Sequence, residues 1–153
     1  MVSKGGRTVD GDQIGYEDEL IIASDLGELE RVRQFIRRSC RCVNTTRFVS
    51  SRIHDIELAA TEVVTNIIQH AYRGAGDQNI HIKIRMGRET LTLTMHDWGR
   101  PFDPGKVPLP DFDGSRSSGF GLFIIRKLVD ELSFSRNEKG RNRTRLKIKM
   151  EKG

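Results

Sequence analysis

The chain has 153 residues, 36% of them hydrophobic and 31% charged, a balance that suits a single core and excludes a second domain of ordinary size. No apolar run approaches the ~20 residues of a membrane span, and the N-terminus lacks the apolar stretch of a signal peptide, so a cytoplasmic chain without membrane contact is expected. The formal charge is +5, from 26 basic and 21 acidic residues, and the two cysteines, Cys40 and Cys42, are too few for a zinc site and are expected as reduced thiols on different sides of a helix.

Residues 1–16 carry Gly5, Gly6, Gly11 and Gly15 among scattered charges with no periodicity. They are set outside the fold as a flexible tail or an expression remnant, which leaves the domain over 17–153. Residues 20–23 read as a strand. A helix over 25–42 follows, with Leu26, Leu29, Val32, Phe35 and Ile36 as its apolar stripe and Asp25 as a suitable cap. In the next, longer helix Ile56, Ala60, Val63, Ile67 and Ala71 recur at the spacing of one buried stripe. Glu62 and Asn66 stand one turn apart beside that stripe, in line with Gln69 and Arg73, so a carboxylate and a carboxamide can share one ligand. Two solvated surface residues would leave the same pattern. The histidines His54, His70, His81 and His96 have no metal-ligand spacing and read as ordinary polar positions.

Ile80, Ile82, Ile84 and Met86 then alternate with His81, Lys83 and Arg85, and after a turn at Gly87, Arg88 and Glu89 the residues Leu91, Leu93 and Met95 alternate with Thr92, Thr94 and His96. This is a hairpin with one buried face. Carried one step further, the parity turns Asp97 inward, where a carboxylate without a partner is costly. Either a ligand amino group or the backbone of the Trp98-Gly99 turn would satisfy it. Residues 101–118 hold all four prolines, a connection too long for a compact domain unless it is a lid or an unstructured segment. Ser117, Ser118, Gly119 and Gly121 lead into a helix with Leu122, Ile125, Leu128, Val129 and Leu132 on one face. Glycines there allow close backbone approach and a helix start offers free N–H groups to an anion, although a plain capped helix start reads the same way. Neither a P-loop nor a dinucleotide-binding pattern is present.

Residues 136–153 carry eight basic and two acidic residues, and Arg143, Arg145, Lys147 and Lys149 alternate with Thr144, Leu146, Ile148 and Met150. A solvated cationic strand face that discourages edge pairing explains this. Nucleic acid is not expected without interleaved aromatics, and an acidic protein partner would suit the patch.

In this order the three segments resemble the ATP-binding signature of the gyrase, heat-shock chaperone, histidine kinase and mismatch-repair ATPase superfamily. The residues that carry the likeness include Thr-Glu-Val-Val-Thr-Asn-Ile-Ile-Gln-His-Ala-Tyr over 61–72 and Asp-Trp-Gly-Arg-Pro-Phe-Asp-Pro over 97–104. The likeness is closest to the bacterial anti-sigma factor serine/threonine kinases and runs from about Glu19 to Met150. It implies a histidine-kinase-like ATPase (Bergerat) fold of the α/β (α+β) class. This is a two-layer sandwich of a mixed, largely antiparallel sheet with three helices on one face, and with ATP between helices and lid.

The resemblance also implies roles for single residues. Asn66 would hold the Mg²⁺ that bridges the phosphates and Glu62 would act as general base on the attacking hydroxyl. Asp97 would accept from the adenine amino group, Gly99 would let the base approach, Thr144 would lie near the adenine, and Gly119 and Gly121 would sit against the phosphates. Two departures bear on the adenine pocket and not on Glu62 or Asn66: Arg100-Pro101 stands where relatives often have a second glycine, and Asn142-Arg143 where a glycine precedes the threonine. The implied function is an ATP-dependent kinase that binds a sigma factor and phosphorylates a serine or threonine of an anti-anti-sigma antagonist, with the first helix region helping to form a homodimer. A non-catalytic ATP-binding partner switch stays open. So does the ATP-binding domain of a histidine kinase, although His54 lies on the same helix as Glu62 with no separate helix pair before it.

Overall fold

The computed structural model describes residues 6–10, 13–42, 50–87, 89–103, 105 and 120–149. The strands are β1 (Gly6–Asp10), β2 (Gln13–Ala23), β3 (Asn79–Met86), β4 (Thr90–Asp97), β5 (Glu131–Arg136) and β6 (Asn142–Lys149). They form one six-stranded sheet in the order β1-β2-β3-β4-β6-β5. Every neighbouring pair is antiparallel, so the sheet is not mixed among the described residues. Register places like with like: Ile82 faces Met95, Ile84 faces Leu93, and Leu93 and Leu91 face Leu146 and Ile148. All of these are buried on one side of the sheet.

Three helices cover that side. A 3₁₀ turn at Leu26–Glu28, capped by Asp25 accepting from the Gly27 N–H at 2.8 Å, leads into α1 (Leu29–Cys42). The second helix, α2 (Ser50–Asn66), runs on into a π-helical turn at Ile67–Ala71, and α3 (Phe120–Leu128) follows the long connection. Val32, Phe35 and Ile36 of α1, Ile56, Ala60 and Val63 of α2 and Ile125 of α3 share one core with the sheet. Each large side chain so buried contributes about 1.5–3 kcal/mol of transfer free energy. The two-layer α+β sandwich expected from the patterning is the fold. Cys40 faces this core and Cys42 is exposed, both as free thiols, and burial lifts the Cys40 thiol to about 12. No described helix is long and apolar enough to cross a membrane.

Three further expectations change. The boundary at residue 17 moves outward, because β1 pairs with β2 from Gly6 opposite Glu17 to Asp10 opposite Gln13, and Tyr16 is buried with its hydroxyl donating to Asp18 at 3.1 Å. Backbone pairing, not an apolar period, makes that strand. The helix over Leu122 and Ile125 ends at Leu128, and Leu132 belongs to β5 opposite Leu146. Leu132 happens to fall at helical spacing, while the alternation Leu132-Ser133-Phe134-Ser135 is too short to declare a strand.

The third concerns His96, which is not an ordinary polar position. The face of the sheet away from the helices carries Lys83, Arg85, Thr92, Thr94, Arg145 and Lys147, with cross-strand ion pairs Arg85–Glu17 at 3.4 Å and Lys147–Glu131 at 3.7 Å. His96 lies on this face yet is only 8% exposed. Burial, reinforced by Arg141, Lys83, Arg143 and His81, lowers its pKa from 6.5 to about 4. The unfolded chain therefore takes up a proton that the fold refuses, so stability is full above the unfolded value and falls as pH drops from 6.5 toward 4. Between about pH 7.5 and pH 5 the loss assignable to His96 is about 2 kcal/mol. Urea unfolding of wild type and His96→Gln at both pH values checks this: the variant should lose less stability over the interval, and parallel losses would contradict it.

Candidate functional site

Helical spacing puts Glu62 and Asn66 on one side of α2, and α3 brings a glycine against both. A Cβ at Gly121 would stand 2.9 Å from Glu62 Oε2 and 3.4 Å from Asn66 Oδ1. A side chain there would have to push the Glu62 carboxylate aside, so the first and third sequence segments meet at Gly121. Gly119 and most of the 101–118 connection lie outside the described residues.

Directly after Asn66 the helix widens, with the Tyr72 N–H donating to Ile67 O at 2.9 Å. The wider turn re-aims the chain, so Gln69 and Arg73 do not continue the Glu62 face. Gln69 is exposed, Arg73 takes the left-handed φ of 51°, and His70 and Ala71 line the cavity beside Asn66 instead. The same turn grips the second segment. Ala71 O accepts from the Arg100 N–H at 2.9 Å, and the Tyr72 hydroxyl accepts from the Trp98 N–H at 2.8 Å and donates to Asn79 O at 2.7 Å.

Gly99 is required by this contact: its Cβ would lie 2.5 Å from the Ala71 carbonyl oxygen. Close approach of the helix backbone is by itself enough to require this glycine. Gly99→Ala should cost about 1–3 kcal/mol, the usual penalty of overpacking, because both partners are backbone. Thermal melting checks it, and a wild-type midpoint would contradict the contact.

A cavity of about 440 Å³ opens between α2, α3 and the β4-β6-β5 end of the sheet, lined among others by Asn66, Asp97, Phe102, Phe134, Asn142 and Thr144. Asp97 turns inward as its parity requires and is 2% exposed. Its Oδ1 accepts from the Gly99 N–H at 2.9 Å and from Asn142 Nδ2 at 2.8 Å. Burial raises the Asp97 carboxyl above the usual carboxylate range, opposed by Asn142, the Gly99 N–H and Arg136. Thr144 is buried between Met95 and Phe134 in the register and lines the same cavity. Glu62 does not line the cavity and stands beside it through Asn66 and Gly121.

Asn142 is the site residue that the sequence reading missed as a partner of Asp97. The parity Asn142, Thr144, Leu146, Ile148 pointed it inward, and nothing but strand register could have set it opposite Asp97. Among the described residues no group of three His, Cys, Asp or Glu side chains could hold a metal ion.

The profile of the histidine kinase-like ATPase domain matches residues 22–148. The chain belongs to this family. Membership in this family implies the use of ATP. The serine-protein kinase RsbW of Oceanobacillus iheyensis is 28% identical over 100 residues, which cover 60% of this chain and 63% of that protein. The RsbW of Listeria innocua is 29% identical with the same coverage, and the serine/threonine-protein kinase BtrW of Bordetella bronchiseptica is 29% identical over 87 residues, 54% of this chain and 61% of that one. The matches thus span less than two thirds of these relatives. A crystal structure of the RsbU and RsbW domains of a Mycobacterium tuberculosis protein superimposes with a TM-score of 0.61 at 18% identity, over 88% of this chain and 33% of that one, a likeness of fold.

Proposed function

We propose that this histidine kinase-like ATPase domain is a protein serine/threonine kinase that binds a sigma factor and transfers the γ-phosphoryl group of ATP to a hydroxyl of an anti-anti-sigma antagonist. The observation that carries the reading is the meeting of Glu62 Oε2 and Asn66 Oδ1 at Gly121, in the first turn of α3. A proton acceptor and a hard oxygen donor then stand together where a helix start presents N–H groups to phosphate. Relatives named as serine-protein kinases support the reaction class.

The residues fit the substrate. Asp97 accepts from the adenine amino group, and Thr144 and Phe134 border the base. Gly121, with Gly119 before it, lets the phosphates approach the backbone, where a side chain would fill the cradle. Asn66 would hold Mg²⁺ through its amide oxygen, and the ion would supply charge neutralisation at the phosphates. Glu62 takes the proton of the substrate hydroxyl as that oxygen bonds to the γ-phosphorus and the bond to the leaving ADP oxygen breaks. The same reading carries a cytoplasmic setting and a homodimer through the region of α1, where Leu26 is 47% exposed.

The test is incubation with Mg·ATP and an anti-anti-sigma protein, followed by mass spectrometry. Phosphoserine or phosphothreonine on the added protein is the expected product. Phosphohistidine at His54 of this chain, without transfer, would contradict the reading.

A further inference from the structure

Asp97, Asn142 and Arg136 stand in one row across three strands, Asp97 of β4 opposite Asn142 of β6 and Asn142 opposite Arg136 of β5. Hydrogen bonds run along the row in one direction. Arg136 Nη1 donates to Asn142 Oδ1 at 2.9 Å and to Gly99 O at 3.1 Å. Asn142 Nδ2 donates onward to Asp97 Oδ1 at 2.8 Å and to Gly99 O at 3.0 Å. An arginine offers only donors and an ionised carboxylate only acceptors, so the carboxamide between them has one allowed orientation; flipped, it would set donor against donor and acceptor against acceptor.

Asn142 and the Gly99 N–H both fall on Oδ1, and no described residue donates to Oδ2. One oxygen of a buried carboxylate is saturated, and the other remains an acceptor for whatever fills the cavity. We propose that Asn142, oriented by Arg136, is the positioning residue that sets base selectivity here, holding Asp97 as an ionised carboxylate that takes a 6-amino purine and rejects a 6-oxo purine. The inference rests on the ATP site proposed above. An adenine C6 amino group donates to Oδ2, whereas the C6 carbonyl of hypoxanthine or guanine would oppose acceptor to acceptor in a buried site.

Protonation of Asp97 would invert that preference, because a carboxylic acid can donate to a C6 carbonyl. Burial pushes Asp97 that way, and Asn142, the Gly99 N–H and the Arg136 charge oppose it. On the helix side, burial keeps the Tyr72 phenol above its usual range and therefore neutral. His70, Arg100, Arg126 and Arg143 line the same cavity.

The experiment is calorimetric titration of Mg·ATP and of Mg·inosine triphosphate into wild type, Asn142→Ala and Arg136→Gln at about pH 6 and pH 8, with thermal melting of each protein. Wild type should prefer ATP by about tenfold or more at both pH values. Asn142→Ala should lose most of that preference at the lower pH, and Arg136→Gln, altered at an exposed side chain, should move the same way by a smaller factor with a near-wild-type melting point. If wild type binds ATP and a folded variant of either kind keeps the wild-type ratio at both pH values, the inference is overturned; should Asn142→Ala not fold, Arg136→Gln decides. Wild type that binds neither nucleotide overturns the ATP site and this inference together.

Discussion

Glu62→Gln is expected to slow phosphoryl transfer by about 10²–10⁴-fold while leaving the ATP dissociation constant near the wild-type value. Glutamine keeps the volume and one oxygen, so the packing of this side chain beside Gly121 can be retained. It cannot take a proton. A group that acts on the substrate hydroxyl in the transition state contributes little to bound ground-state ATP, so the loss should fall on the single-turnover rate. Single-turnover transfer with excess enzyme, read beside nucleotide affinity, separates the two. A variant that transfers at the wild-type rate would make Glu62 a bystander and favour the non-catalytic partner switch.

Asp97→Asn should weaken ATP binding by about 1–3 kcal/mol, roughly 5–150-fold, because a buried hydrogen-bonding pair is mismatched. The direction follows from what surrounds Oδ1. Two N–H donors, from Gly99 and Asn142, require an oxygen there, so the new amide must turn its NH₂ to the position of Oδ2. That places donor against the donating amino group of adenine. Competition with a fluorescent ATP analogue measures the change, and unchanged affinity would remove the adenine from Asp97.

Much of this site could be read along the chain because it obeys local periods. The burial of Ile82, Leu93, Met95 and Leu146 follows from alternation, and the same parity predicted that Asp97 would be buried and in need of partners. Glu62 and Asn66 lie one turn apart on a regular helix, so their shared face was legible as well. The failures begin where the period breaks. The π turn after Asn66 exchanges Gln69 for His70 at the cavity, and no local pattern in Ile67–Ala71 announces five-residue hydrogen bonding.

Other parts depend on contacts between distant segments. The need for glycine at Gly99 arises from the Ala71 backbone, and the closeness of Gly121 to the Glu62 and Asn66 side chains from α3 packing on α2, and neither distance exists until the chain packs. The hydrogen bond from Asn142 to Asp97 likewise spans 45 residues of chain and requires β6 to lie beside β4. β1 shows the converse limit, since its pairing with β2 leaves no apolar signature in a glycine-rich stretch.

The central claim, an ATP site assembled from Asp97 and Asn66 that serves phosphoryl transfer, is tested most directly by isothermal titration of ATP into wild type and Asp97→Asn, each with and without Mg²⁺. Saturable binding to wild type that needs magnesium and weakens by roughly 5–150-fold in the variant is the predicted result. Absence of binding at millimolar nucleotide, or binding indifferent to both magnesium and Asp97, would contradict it.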